Sequence, residues 1–128
     1  MEIRKIKANG TEYEFINESR WTRSGFAHDT RLFKNGCFVA EHSCYYYNRT
    51  WECYRFQTVM RCAVNELIEQ KKENLKRIFK ENNGYKKLTA KRAEELEKIF
   101  EKDKTLKEYD AVKECLNYEN MAEVKNYY

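Results

Sequence analysis

Arginines and aromatic residues interleave at strand spacing between Trp21 and Met60, and this mixture equips that part of the chain to hold a ligand. Guanidinium groups grip phosphate oxygens bidentately, and aromatic rings stack on flat bases. The candidates for contact with a flat, negatively charged ligand are Arg20, Trp21, Arg23, Phe26, Arg31, Asn48, Arg49, Trp51 and Tyr54. Arg49 leads them, because the Asn48-Arg49-Thr50 turn holds it at a strand-to-helix junction. The plainer alternative makes Phe26, Trp51 and Tyr54 core residues beneath a solvated basic edge.

Residues for catalysis are scarce by comparison. The two histidines, His28 and His42, fall on neighbouring predicted strands with no serine, cysteine or carboxylate at a recognised spacing, which favours hydrogen-bonded structural roles. The four glycines are widely separated and each fits a turn, so neither a P-loop nor a dinucleotide fingerprint is present. Five cysteines, an odd number with no CxxC pair, argue against a disulfide framework or a zinc ribbon. The segment MEIRKIKANG lacks a signal-peptide core, and no stretch of about 20 apolar residues occurs, so the reducing cytosol is the expected compartment. The cysteines then read as small packing residues. No enzyme activity, metal or cofactor is expected.

A chain of 128 residues fits one domain. A hydrophobic fraction of 41%, a charged fraction of 36% and no proline point to long, uninterrupted helices with solvated faces. The basic excess lies in the first half, with ten Lys/Arg against seven Asp/Glu over residues 1–64 and fifteen against fourteen over 65–128. Tyr13 and Phe15 alternate with polar residues as in a half-buried strand, after a short strand at Ile3–Lys7. Ser24-Gly25 marks a turn, Phe26–Lys34 a strand, and Asn35-Gly36 a type I′ hairpin turn returning through Cys37–Tyr47. In that register Phe38, Ala40, His42, Cys44 and Tyr46 share one face, and Cys37 and Cys44 lie on opposite sides. The period then changes to about 3.6. Phe56, Val59, Met60, Ala63, Val64, Leu67, Ile68, Leu75, Ile78 and Phe79 form the stripe of a long helix ending near Asn82-Asn83-Gly84. Thr89 is the expected cap of a second helix, and Thr105 with Glu108 forms a capping-box pattern for a third presenting Leu106, Tyr109, Val112 and Leu116.

The expected class is therefore α+β. An N-terminal antiparallel meander packs on a long amphipathic helix over residues 1–84, and residues 85–128 add a helical extension of the same domain, on the long helix or on a second subunit.

Two motifs carry a resemblance. Thr22-Arg23-Ser24-Gly25-Phe26-Ala27-His28, and Tyr46-Tyr47-Asn48-Arg49-Thr50-Trp51-Glu52-Cys53-Tyr54 beyond the Asn-Gly turn, resemble small phage-encoded anti-defence proteins. They are most similar to the anti-Thoeris sponge family, over about the first half of the chain. The resemblance implies a protein that performs no chemistry and sequesters a cyclic nucleotide-derived signal, such as a cyclic ADP-ribose isomer, between protomers of a homo-oligomer in the host cytosol. It makes Arg49 the phosphate contact and Phe26 a stacking surface. Cys53 stands where a polar or basic residue is expected, which would remove a phosphate contact or shift it to Arg55. The extension beyond Gly84 exceeds the compact family core.

Two other classes fit the same order of elements. A direct inhibitor of a host defence complex, such as an anti-CRISPR, would use the surface around Tyr45 and Tyr47. A sheet-type DNA reader, like integrase arm-binding domains, would lay basic strands in a groove and bind with steep salt dependence.

Overall fold

The computed structural model describes residues 1–23, 25–46 and 52–116; the side chains of residues 26, 45, 46 and 52–55 lie outside that description. Four strands, β1 (Glu2–Ala8), β2 (Thr11–Thr22), β3 (Gly25–Lys34) and β4 (Cys37–Tyr46), form an antiparallel sheet in chain order. Helices α1 (Glu52–Asn82), α2 (Ala90–Lys102) and α3 (Lys104–Cys115) follow, which is the α+β meander-then-helix arrangement expected from the pattern.

Turn chemistry sets the register. Asn35 and Gly36 have φ of 49° and 80°, the left-handed pair that a type I′ turn demands. Asn35 also ties this turn to β2, its side-chain oxygen accepting from the Glu12 N–H at 2.9 Å and its own N–H donating to the Glu12 carbonyl at 2.8 Å. The same dipeptide at Asn9-Gly10, with φ of 52° and 80°, closes the β1–β2 hairpin.

A β-bulge then overrides simple alternation. Leu32 pairs with Ala40 but Phe33 pairs with Phe38, so Val39 is the extra residue. The expected face of Phe38, Ala40, His42, Cys44 and Tyr46 is broken at its first member. Phe38 lies beside Phe33 on the outer side, ring centroids 5.8 Å apart, while Val39 packs against the core. The shift also brings Cys37 to the side of Cys44.

The helix-facing side of the sheet contributes Ile6, Tyr13, Phe15, Leu32 and Ala40 to the core. Helix α1 crosses β3 and β4 and buries Phe56, Val59, Met60, Ala63, Val64, Leu67 and Ile68, as the 3.6-residue period requires. The expected stripe fails at Ile78, which is 40% exposed, while Phe79 is buried and Leu75 packs against the core. The helix ends in a Schellman motif, with Tyr85 N–H donating to the Lys80 carbonyl at 2.8 Å and Gly84 N–H to that of Glu81 at 3.2 Å.

Thr89 caps α2, accepting from the Arg92 N–H at 3.4 Å. The capping box at Thr105 and Glu108 does not form. Asp103 caps α3 instead, accepting from the Leu106 N–H at 2.9 Å, and Glu108 faces inward, where it accepts from the Tyr13 hydroxyl at 2.8 Å. Leu106, Tyr109, Val112 and Leu116 join the same core as the sheet. At roughly 1.5–3 kcal/mol for each large apolar side chain removed from water, α3 covers β1 with several kcal/mol of burial.

Tyr13 joins these layers. It is fully buried, edge-on to Tyr109 at 6.3 Å, and its ionisation is pushed far up, first by burial and then by Glu108. Tyr13→Phe is expected to cost about 1.5–3 kcal/mol, because the Glu108 carboxylate loses a donor in a largely dry site. Urea unfolding measures this; an unchanged midpoint would mean that the hydroxyl contributes nothing.

Candidate functional site at the α1 end of the sheet

Of the residues singled out for ligand contact, the structure describes the backbone of Arg23, Phe26, Tyr54 and Arg55, and the topology sets these toward one end of the sheet. Arg23 is exposed just beyond β2, where Thr22 Oγ1 donates to the Gly25 carbonyl at 2.9 Å. Phe26 pairs with Trp21 on one side and with Tyr46 on the other. Tyr54 and Arg55 belong to the first turns of α1, with side chains outside the described residues. Asn48, Arg49 and Trp51 lie outside the described residues altogether.

The register splits the wider arginine-aromatic set. Arg20 and Arg31 occupy the outer side of the sheet, whereas Trp21, 60% exposed, and the Phe26 position belong to the helix-facing side. Arg20 donates to Asp29 at 2.7 Å and Arg31 to Glu18 at 3.1 Å, so both are neutralised by cross-strand carboxylates. Burial pushes the Asp29 carboxyl up, but hydrogen bonds from Arg20 and Ser43, with the Arg20 charge, outweigh it and hold it below its ordinary value. Strand alternation thus separates side chains that are neighbours in sequence.

At the same end, the helix-facing side changes from apolar to polar. Asn17, His28, Thr30 and Gln57 are all essentially buried. Thr30 Oγ1 donates to Asn17 Oδ1 at 2.6 Å, and the Asn17 amide donates to the Met60 sulfur at 3.4 Å. His28 Nδ1 is hydrogen-bonded to Ser19 Oγ at 2.9 Å, and its ring sits edge-on to Phe56 at 4.4 Å. Gln57 Nε2 donates to the Leu116 carbonyl at 2.6 Å, fastening α1 to the end of α3. Composition did not point to this set. Strand parity could have found it, because Asn17 shares a side with Tyr13 and Phe15, and His28 and Thr30 share one with Leu32.

Glu2 completes this polar layer opposite Asn17 in the β1–β2 register. It is 7% exposed, and neither carboxylate oxygen meets a donor at hydrogen-bonding geometry. Burial raises its pKa, against weaker downward pulls from Arg4, Asn17 and the amino terminus. The Asn17 amide is close enough to act on the charge yet is directed at Met60.

The second histidine, His42, pairs through Nδ1 with Glu66 at 2.8 Å on the opposite flank of α1. Among the described residues, no group of three or more His, Cys, Asp or Glu could hold a metal ion, and no helix is long and apolar enough to cross a membrane. No protein-family model, no curated protein and no solved structure matches the chain.

The Glu2 geometry sets a pH dependence with a definite sign. A carboxyl whose folded pKa is raised costs stability once it ionises, so its penalty is absent below the ordinary value of 4.5 and grows as pH rises through the folded pKa. Glu2→Gln is therefore expected to be more stable than the parent at pH 7, with the difference closing as pH falls toward 4.5. Paired thermal melts across that range measure it; a variant less stable at pH 7 would show that the charge is compensated.

Proposed function

We propose that this chain is a phage-type anti-defence protein that binds a cyclic nucleotide-derived immune signal, of the cyclic ADP-ribose isomer class, and sequesters it uncleaved in the host cytosol. The observation that supports this reading is the convergence of the Arg23 turn, the Phe26 position, the end of β4 and the first turns of α1 at one end of the sheet. Residues 47–51, including Asn48, Arg49 and Trp51, connect β4 to α1 in the chain. The start of a 31-residue helix carries the positive end of its dipole, which favours phosphate.

In this reading Arg49, Arg23 and Arg55 meet phosphate oxygens, Asn48 orients the ligand, and Phe26, Trp51 and Tyr54 stack on its base. Sequestration requires tight binding; a nanomolar Kd corresponds to about 12 kcal/mol, which suits a ligand enclosed between protomers of a homo-oligomer. The alternative of a sheet-type DNA reader draws little support from the sheet. Its outer side sets Lys5 against Glu12 and Glu14, Arg20 against Asp29, and Arg31 against Glu18, leaving no basic stripe to follow a phosphate backbone.

Calorimetry of the purified protein against cyclic ADP-ribose isomers and cyclic di- and trinucleotides tests the reading. The expected result is nanomolar binding of one ligand, its recovery intact after heat denaturation, and at least a hundredfold weakening in Arg49→Ala with the fold retained. Absence of binding across the panel, or recovery of a cleaved product, would sink the sponge reading.

A further inference from the structure

The two edges of the sheet differ. Helix α3 lies against β1, whereas β4 pairs only with β3 among the described residues, and residues 37–44 make no other backbone hydrogen bond there. Helix α1 passes over β4 and leaves a groove of about 460 Å³ beside this open edge. His42 lines it from the strand, and Cys62, Asn65, Glu66, Glu69 and Gln70 from the helix. Those helix positions follow i, i+3, i+4, i+7, i+8, the stripe flanking the buried one.

An open edge beside a helix-walled groove is the arrangement by which an extended peptide is added as a further strand. Its main chain bonds to the edge, and alternate side chains enter the groove. The groove is also selective by charge. Among the described residues, no lysine or arginine lines it; Glu66 engages His42 through one oxygen, and Glu69 has no ion-pair partner. Burial, with Cys44 and Glu66 nearby, pushes the Cys62 thiol up against weaker downward pulls from Arg61 and Lys113, which lie outside the described lining of the groove.

We propose that the groove between β4 and α1 binds an extended segment of a partner protein by strand addition to β4, with a lysine or arginine of that segment seated against Glu66 and Glu69. A second copy of this chain suits the groove poorly. Pairing β4 with its own copy about a twofold axis would set the two α1 helices side by side, with Glu66 and Glu69 facing the same carboxylates. The partner segment extends over about six to eight residues, set by the length of β4 that is free to pair. This site draws on none of residues 47–55 and stands or falls independently of the nucleotide reading.

Selection of random octapeptides displayed on phage against the full-length protein tests this, with E66K/E69K as the counter-target and binding of selected peptides measured by fluorescence polarisation. The expected pool places Lys or Arg at one position between alternating β-branched residues, binds E66K/E69K at least tenfold more weakly, and protects the amides of residues 38–44 from exchange. Should E66K/E69K fold poorly, E69Q at an exposed position is expected to weaken binding about threefold. Failure to enrich any sequence, enrichment without a basic position, equal binding to the charge-reversed variant, or self-association that itself protects β4 would each overturn the proposal.

Discussion

One-sided burial of the sheet is the constraint on which the rest of this structure depends. A four-stranded antiparallel sheet with one face in water needs its other face covered, and a single helix is too narrow to do that. Helix α1 covers β3 and β4, leaving the β1 side to α3. Tyr13 lies under that junction, and its contacts with Tyr109 and Glu108 tie α3 to the sheet. The extension is thus part of the core rather than an appendage to it.

The same constraint explains the outer side. With no helix against it, that face is kept soluble by cross-strand pairs of opposite charge, each worth a few tenths of a kcal/mol to about 1 kcal/mol. Their effect is less to stabilise the sheet than to engage its arginines. Arg20 and Arg31 are committed to carboxylates, and Arg23, exposed where β2 ends, lies outside these pairs.

Polarity along the helix-facing side runs in the same direction. Apolar packing around Phe15 and Leu32 gives way to Asn17, Thr30, His28 and Gln57, which hydrogen-bond to one another or to neighbouring elements. Buried polar groups specify geometry more sharply than apolar ones, because a shift that breaks their hydrogen bonds costs the full desolvation of each group. Glu2 in this layer carries a carboxyl whose oxygens meet no donor at hydrogen-bonding geometry, and its charge costs stability there.

Much of this was legible in the residues alone. Asn35-Gly36 determined a hairpin because both positions need positive φ, and the stripe from Phe56 to Ile68 determined a helix facing the sheet because its period is 3.6. Thr89 determined where α2 begins. These are local signals, decided by dihedral preference and by which residues avoid water. Tertiary structure decided what local rules cannot contain. The bulge at Val39 turned Phe38 outward, because strand parity depends on pairing with β3 and not on β4 itself. Glu108 left its capping pattern because Tyr13, 95 residues away in the chain, offered a buried donor, and Asp103 took the cap. The arginine-aromatic run divided between two faces for the same reason: sequence determines which side chains are adjacent along the chain, and only packing decides which of them meet.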